Sequence, residues 1–340
     1  MDHKKLTLLI CGTILLVILV QIPLGYISSM RPADTTFTQV YEKNLIKPQQ
    51  NKDDVNNEIK QADVAEPGKL FQKRLPKCLI IGFAKCGTYA LKAFMSLHPD
   101  IVTAKLEVGF FNTHYNKGLQ WYIEQMPESY EHQITVEKTP TYITTKESLD
   151  RIYHFNASIK LIVLVRDPVT KLQSAYCHTR AHSNPKTFNV TFEQWLDDIN
   201  FVSVKKINYH IYIKNAYDLF SRKQVLVLSE EDLEEDPLSV MKEVEQFLGL
   251  RPVLTKELFV FSAEKGFYCF NKSHPRYHAV AEVLNVDYET GCLSRNKGRE
   301  HPDISDKIVK LIVKHVTPVN EALFNLIGKR YKWTTLADLK

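Results

Sequence analysis

The sequence lacks several features that would settle its class at once. It has no internal repeat, which excludes solenoids and propellers. Its 6 cysteines contain no C-x-x-C pair, so a zinc-ribbon type of site has no support. Charge of neither sign dominates: 44 Lys+Arg against 39 Asp+Glu leave a net +5, with a pI of about 8.7. So mild an excess suits anionic ligands or merely a solvated basic face, and no nucleic-acid partner is expected. The most informative absence is that of one lysine. The stretch GFAKCGT, 82–88, follows the apolar run CLII and precedes the helical pattern YALKAFMSL. A phosphate-cradling loop belongs there, yet its triphosphate form, G-x-x-x-x-G-K-[ST], has lysine directly after the second glycine. Here Thr88 holds that place and Lys85 lies inside the loop, which argues against a nucleotide kinase.

The composition of the 340 residues, 44% hydrophobic and 24% charged, is that of an ordinary globular protein. Residues 6–27 form an apolar run without a charge, long enough for a helix that crosses a bilayer. Lys4 and Lys5 precede it, so residues 1–5 are expected to be a cytosolic tail and 6–27 an uncleaved signal-anchor. A cleaved signal peptide is the rival reading; the run is longer than a signal core and shows no clear A-x-A site. Residues 28–74 are polar and read as a flexible lumenal stem, leaving 75–340 as the folded domain. Sequons at Asn156, Asn189 and Asn271 agree with entry into the secretory lumen, here taken as the Golgi. Cys269 and Cys292 bracket a loop-like stretch that suits a disulfide, with a zinc site as the alternative; Cys78, Cys86 and Cys177 would stay free.

Within the domain, strand patterns at 77–82, 134–139, 160–167 and 224–233 alternate with helical patterns at 88–97, 168–182 and 237–250. Pro168 suits a helix's first turn, Asp236 its N-cap and Gly249 its end. Alternation of this kind predicts an α/β fold, a P-loop-like parallel sheet flanked by helices, with ligands beyond the carboxyl ends of the strands. Gly82, Lys138 and Arg166 all fall at such ends. In the loop, Gly82 and Gly87 let backbone N–H groups turn toward an anion, the following helix adds its positive end, and Thr88 can cap that helix. A strand–turn–helix with a solvated lysine is the bland alternative.

Strand, G-x-x-K-x-G-T, and a helix ending in LHP resemble the 5′-phosphosulfate loop of sulfotransferases that use 3′-phosphoadenosine 5′-phosphosulfate (PAPS). LVRDPVTKLQSAY, 164–176, resembles their 3′-phosphate site through Arg166 and Ser174; a local Arg166–Asp167 ion pair is the alternative. EVGFFN (107–112), GLQWYIEQMP (118–127), VEKTPTYIT (136–144), KGFYC (265–269) and CLSRNKGREHP (292–302) resemble the heparan sulfate sulfotransferases, in family order. Overall the chain is most similar to the glucosamine 3-O-sulfotransferases, while FFN with YNKG, and RAHSNP (180–185), resemble N-sulfotransferases.

The resemblance implies a PAPS-dependent sulfotransferase fold and heparan sulfate as acceptor, with no metal required. It implies Glu107 as general base, Lys85 as the cation on the leaving phosphate, and Lys138 at the transferring group. Cofactor contacts are implied for Lys85, Cys86, Gly87, Thr88, Tyr89, Arg166 and Ser174, and for a closing loop with Lys297, Gly298, Arg299, Glu300 and His301. Acceptor contacts are implied for Glu107, Gly109, Asn112, Lys138, Thr139, Pro140 and Thr141. His182 resembles a second base of the N-sulfotransferases, or is simply a histidine in a helix's last turn. The chain departs from the 3-O-sulfotransferase pattern at four places. Gly109 and Asn112 replace a histidine and an aspartate, Tyr89 an arginine, and Cys86 a glycine; the stretch between Cys269 and Cys292 is also longer than usual. Transfer to glucosamine O-3 is therefore the main expectation. Alternatives are N-sulfation, O-sulfation of another glycan, and a glycan-binding protein with a degenerate site.

Overall fold

The computed structural model describes residues 70–184, 188–200, 207–281, 284, 286–293 and 299–339. The expected tail and anchor (1–27), most of the stem, and Lys297 and Gly298 lie outside the described residues. Among the described residues, no helix is long and apolar enough to cross a membrane.

The apolar run CLIIG becomes β1 (Cys78–Gly82), buried at every position. It feeds the loop and α1 (Thr88–Met95), then β2 (Ile101–Thr103) and β3 (Ile134–Lys138). β4 (Lys160–Val165) runs into α2 (Pro168–His182), and α3 (Tyr209–Leu219) follows. β5 (Val225–Ser229) leads to α4 (Glu230–Glu235) and α5 (Pro237–Leu248); the last long helix is α6 (Asp306–Ile327). The five strands lie in the order β2-β3-β1-β4-β5 and all pair in parallel. That topology explains the sequence pattern. A strand covered by helices on both faces reads as a continuous apolar run, as in KLIVLV, where five of six positions are buried. β1 is central, and the chain moves first to one side of it and later to the other, which puts a crevice at its carboxyl end.

A second apolar cluster joins α2 to the helix Phe192–Asp198 and to α6: Val169, Leu172 and Tyr176 pack with Phe192, Trp195, Ile312 and Val316. Each such side chain contributes ~1.5–3 kcal/mol when fully buried. α2 is held rigid by this packing, and its opposite face is turned to the crevice.

One sequence expectation is corrected. The strand pattern at 224–233 ends at Ser229, because the Ser229 hydroxyl accepts the Asp232 N–H (3.4 Å) and starts a helix. Three acidic residues in its first turn favour that start. The caps expected of α5 are present: Asp236 Oδ1 accepts the Ser239 N–H at 3.0 Å, and Gly249 closes the helix at φ 74°. Cys269 and Cys292 form the expected disulfide, and Cys78, Cys86 and Cys177 are free thiols.

Candidate active site

The carboxyl ends of β1, β3, β4 and β5 open into one cleft of about 1070 Å³. At the end of β1, Lys85 and Gly87 both adopt left-handed backbone conformations, φ 69° and 72°. Gly87 is required twice over: L side chains disfavour that φ, and a Cβ there would lie 2.6 Å from Glu230 Cγ. Gly87 is also the N-cap of α1, its carbonyl accepting the Leu91 N–H at 3.0 Å. Thr88 is therefore the first residue of the helix, not its cap. Lys85, Gly87, Thr88 and Tyr89 line the cleft. The Cys86 side chain does not; it is fully buried with Sγ 3.5 Å from the Tyr209 hydroxyl. That hydroxyl donates to the Arg166 carbonyl (2.8 Å), so the thiol donates to the tyrosine oxygen, tying the loop to the end of β4. Burial raises the Cys86 thiol pKa and keeps it unreactive.

At the end of β3, Lys138 is 4% exposed and forms an ion pair with Glu107, which is 53% exposed. The Lys138 ammonium also sits 5.6 Å from the centre of the Tyr89 ring. A buried carboxylate sets this geometry. Glu137 Oε1 accepts the Val108 N–H (3.2 Å) and the Thr139 hydroxyl (2.6 Å), and Thr139 Oγ1 accepts the Gly109 N–H (3.1 Å). The backbone that follows Glu107 is thus pinned to the strand that carries Lys138. Burial pushes the Glu137 pKa up, against the lowering effect of these hydrogen bonds. Asn112 Nδ2 donates to Thr141 Oγ1 at 2.9 Å. Glu107, Lys138, Pro140 and Thr141 line the cleft; Gly109, Asn112 and Thr139 stand behind that wall.

At the end of β4, Asp167 caps α2 by accepting the Val169 N–H at 2.8 Å, and does not pair with its neighbour. Arg166 instead meets Glu230 (Nε to Oε2, 2.7 Å) and Glu234 (3.6 Å). One face of α2 lines the cleft with Thr170, Ser174, Cys177, His178 and His182, so Arg166 and Ser174 are brought together as expected. Arg299, Glu300 and His301 also line the cleft, packed against α2 where Cys177 Sγ donates to the Glu300 carbonyl at 3.4 Å. Burial, then Arg166, lowers the His301 pKa and favours its neutral form. Sequence reasoning missed Glu230, hidden in the overlong strand, and Glu234 just beyond it. It also missed His178, which stands four residues before His182 on the same helix face; that spacing was the available signal.

The Sulfotransferase domain family matches residues 75–299. Heparan sulfate glucosamine 3-O-sulfotransferase 3A1 of Mus musculus is 35% identical over 280 residues, 79% of this chain and 68% of that protein. Heparan sulfate glucosamine 3-O-sulfotransferase 5 of Homo sapiens is 34% identical over 273 residues, 77% of this chain and 75% of that protein. The chain belongs to the heparan sulfate glucosamine 3-O-sulfotransferase family. Among solved structures, a sulfotransferase from Alicyclobacillus acidocaldarius shares the fold with a TM-score of 0.56 at 18% identity, covering 76% of this chain and 98% of that one. In this chain the cleft holds a carboxylate beside a buried ammonium, with Lys85, Arg166 and the first turn of α1 along the same lining.

Proposed function

We propose that this sulfotransferase transfers the sulfuryl group of PAPS to the 3-hydroxyl of a glucosamine residue in heparan sulfate. The observation that carries the reading is the Glu107–Lys138 pair facing the same cleft as Lys85 and Arg166. The residues suit a nucleotide with phosphate groups at both its 3′ and 5′ positions. Gly87 has no room for a side chain, so the loop's backbone stays bare, and Arg166 Nε is buried with no aligned hydrogen bond. Bound PAPS supplies an already activated sulfuryl group. Glu107 takes the proton of the acceptor hydroxyl, and Lys138 holds that carboxylate in place. Lys85 and the N-terminal turn of α1 offset the charge that develops on the 5′ side. Arg166 and Ser174 hold the 3′-phosphate, and Arg299 adds a further cation along the nucleotide's side of the cleft.

The names of the relatives support heparan sulfate and the O-3 position. The departures at Gly109, Asn112 and Tyr89 bear on which sulfation pattern is accepted. Gly109 sits at φ 64°, so the wall behind Glu107 is built on a turn that a histidine would strain. A second reading, transfer to a glucosamine amino group, is favoured by His182. Its Nδ1 donates to the His178 carbonyl at 2.8 Å, which leaves Nε2 as the basic nitrogen in a histidine lining the cleft. The charge-free run at 6–27 supports a Golgi type II placement, which protease protection of sealed microsomes would test. For the chemistry, Glu107→Gln should abolish transfer while the affinity for 3′-phosphoadenosine 5′-phosphate (PAP) is kept. Near-normal turnover of that variant would overturn the assignment of the base.

A further inference from the structure

Glu230 is an unexpected charge in a cleft that receives a doubly phosphorylated nucleotide. It opens α4, it is 6% exposed, and its Oε2 lies 2.7 Å from Arg166 Nε. Both atoms are buried, yet no hydrogen bond is aligned between them. The methylene of Glu230 fills the space beside Gly87, so one side chain runs from the phosphate loop to Arg166. Glu234, one turn further along α4, lies 3.6 Å from Arg166, so both carboxylates are drawn to one guanidinium. Two carboxylates so placed repel each other, and the guanidinium between them offsets that repulsion.

Burial raises the Glu230 pKa most; Arg166 opposes this, while Glu234 and Glu231 add to it. The Cys86 thiol of the loop faces the same carboxylate. His301 lies in the field of Arg166, Glu234 and Lys85 and is held toward its neutral form by burial. Arg166 is therefore the cation that favours the ionised form of Glu230 against burial. A phosphate that takes the guanidinium leaves a buried carboxylate without its counter-ion, and such a group neutralises by protonation.

We propose that the nucleotide's 3′-phosphate enters this site together with a proton, which the Glu230–Glu234 pair takes up as the phosphate displaces it from Arg166. The inference rests on the reading of Arg166 as the 3′-phosphate ligand. It makes Glu230 a determinant of cofactor affinity: PAP binding weakens as pH rises, by up to about tenfold per pH unit for one proton taken up. The second ionisation of the phosphate, near pH ~6, acts in the opposite direction, so the effect is read above pH ~7.

The test is calorimetric titration of the full chain with PAP and with 5′-AMP, in buffers of different ionisation enthalpy. The wild type should take up close to one proton with PAP and none with 5′-AMP. Glu230→Gln should lose most of that uptake and bind PAP more tightly than the wild type at pH ~8. Glu234→Gln, at the exposed member of the pair, should lose part of it. Equal proton uptake by the wild type and both variants, or weaker PAP binding by Glu230→Gln at that pH, overturns the proposal. Equal affinity of the wild type for PAP and 5′-AMP overturns the reading of Arg166 instead.

Discussion

Replacing Glu137 with alanine should loosen Glu107, the proposed base, without touching the part of the cleft that holds Lys85 and Arg166. Glu137 is fully buried, and its Oε1 alone accepts both the Val108 N–H and the Thr139 hydroxyl. Alanine strands both donors and the Tyr122 hydroxyl, which donates to Oε2 at 3.4 Å. At ~1–3 kcal/mol for each unsatisfied buried group, the local cost is about 3–9 kcal/mol before any cavity is counted. The region can relieve part of this by letting the segment around Val108 move, and a displacement of ~1 Å at a reacting group costs about 10²-fold in rate. The expected outcome is a kcat for heparan sulfate about 10²-fold down, with PAP affinity within a few-fold of the wild type. Glutamine is the control: one carbonyl oxygen can keep both bonds, so Glu137→Gln should recover most of the activity. An alanine variant with normal kcat, or a glutamine variant as poor as alanine, would refute the positioning argument. The pH dependence gives a separate readout. The folded-state pKa of Glu137 is raised by burial, so its contribution to stability is fully present below the unfolded-state pKa and is lost as pH rises through the raised value. Glu137→Gln should therefore gain in Tm relative to the wild type between pH ~5 and ~8. A difference that does not change with pH would contradict the burial of an acid that titrates on unfolding.

Two further predictions test the frame around the site. Gly87→Ala places a side chain at φ 72° and against Glu230 Cγ, with ~1–2 kcal/mol of backbone strain to add to the clash. PAP affinity should fall at least about tenfold by calorimetry, and an unchanged affinity would show that the loop does not hold the phosphate. Removing the Cys269–Cys292 bridge frees a loop with a sequence separation of 23, worth about 3.4 kcal/mol of chain entropy. Scanning calorimetry of the double alanine variant should show Tm lowered by about 7–14 °C, and no change would mean that the bridge constrains nothing.

Much of this architecture was legible in the sequence because the physics is local or periodic. Continuous apolar runs such as CLIIG and KLIVLV give strands covered on both faces, and Pro168, Asp236 and Gly249 mark helix ends by their own backbone preferences. Lys85, Lys138 and Arg166 were legible as strand-end residues, since a parallel sheet gathers such ends at one edge. Less legible was anything decided by side chains that meet across elements. Nothing local reveals that Arg166 pairs with Glu230 rather than with its neighbour Asp167, or that Glu137 reaches back to Val108. Thr88 looked like a cap because threonine favours caps, yet the glycine before it takes that role once its φ turns positive. Glu230 was lost through one boundary: ending β5 at Ser229, on the Ser-x-x-Asp pattern, would have placed an acid at a strand's carboxyl end.

The central claim is transfer to glucosamine O-3, and one measurement meets it directly. The full chain is incubated with labelled PAPS and a panel of heparan sulfate, N-desulfated heparosan and unrelated glycans, and the products are digested for disaccharide analysis. The account predicts label on the 3-hydroxyl of glucosamine in heparan sulfate, absent from the Glu107→Gln variant. Label on the glucosamine nitrogen or on another glycan, or retention of heparin without any labelled product, would contradict it.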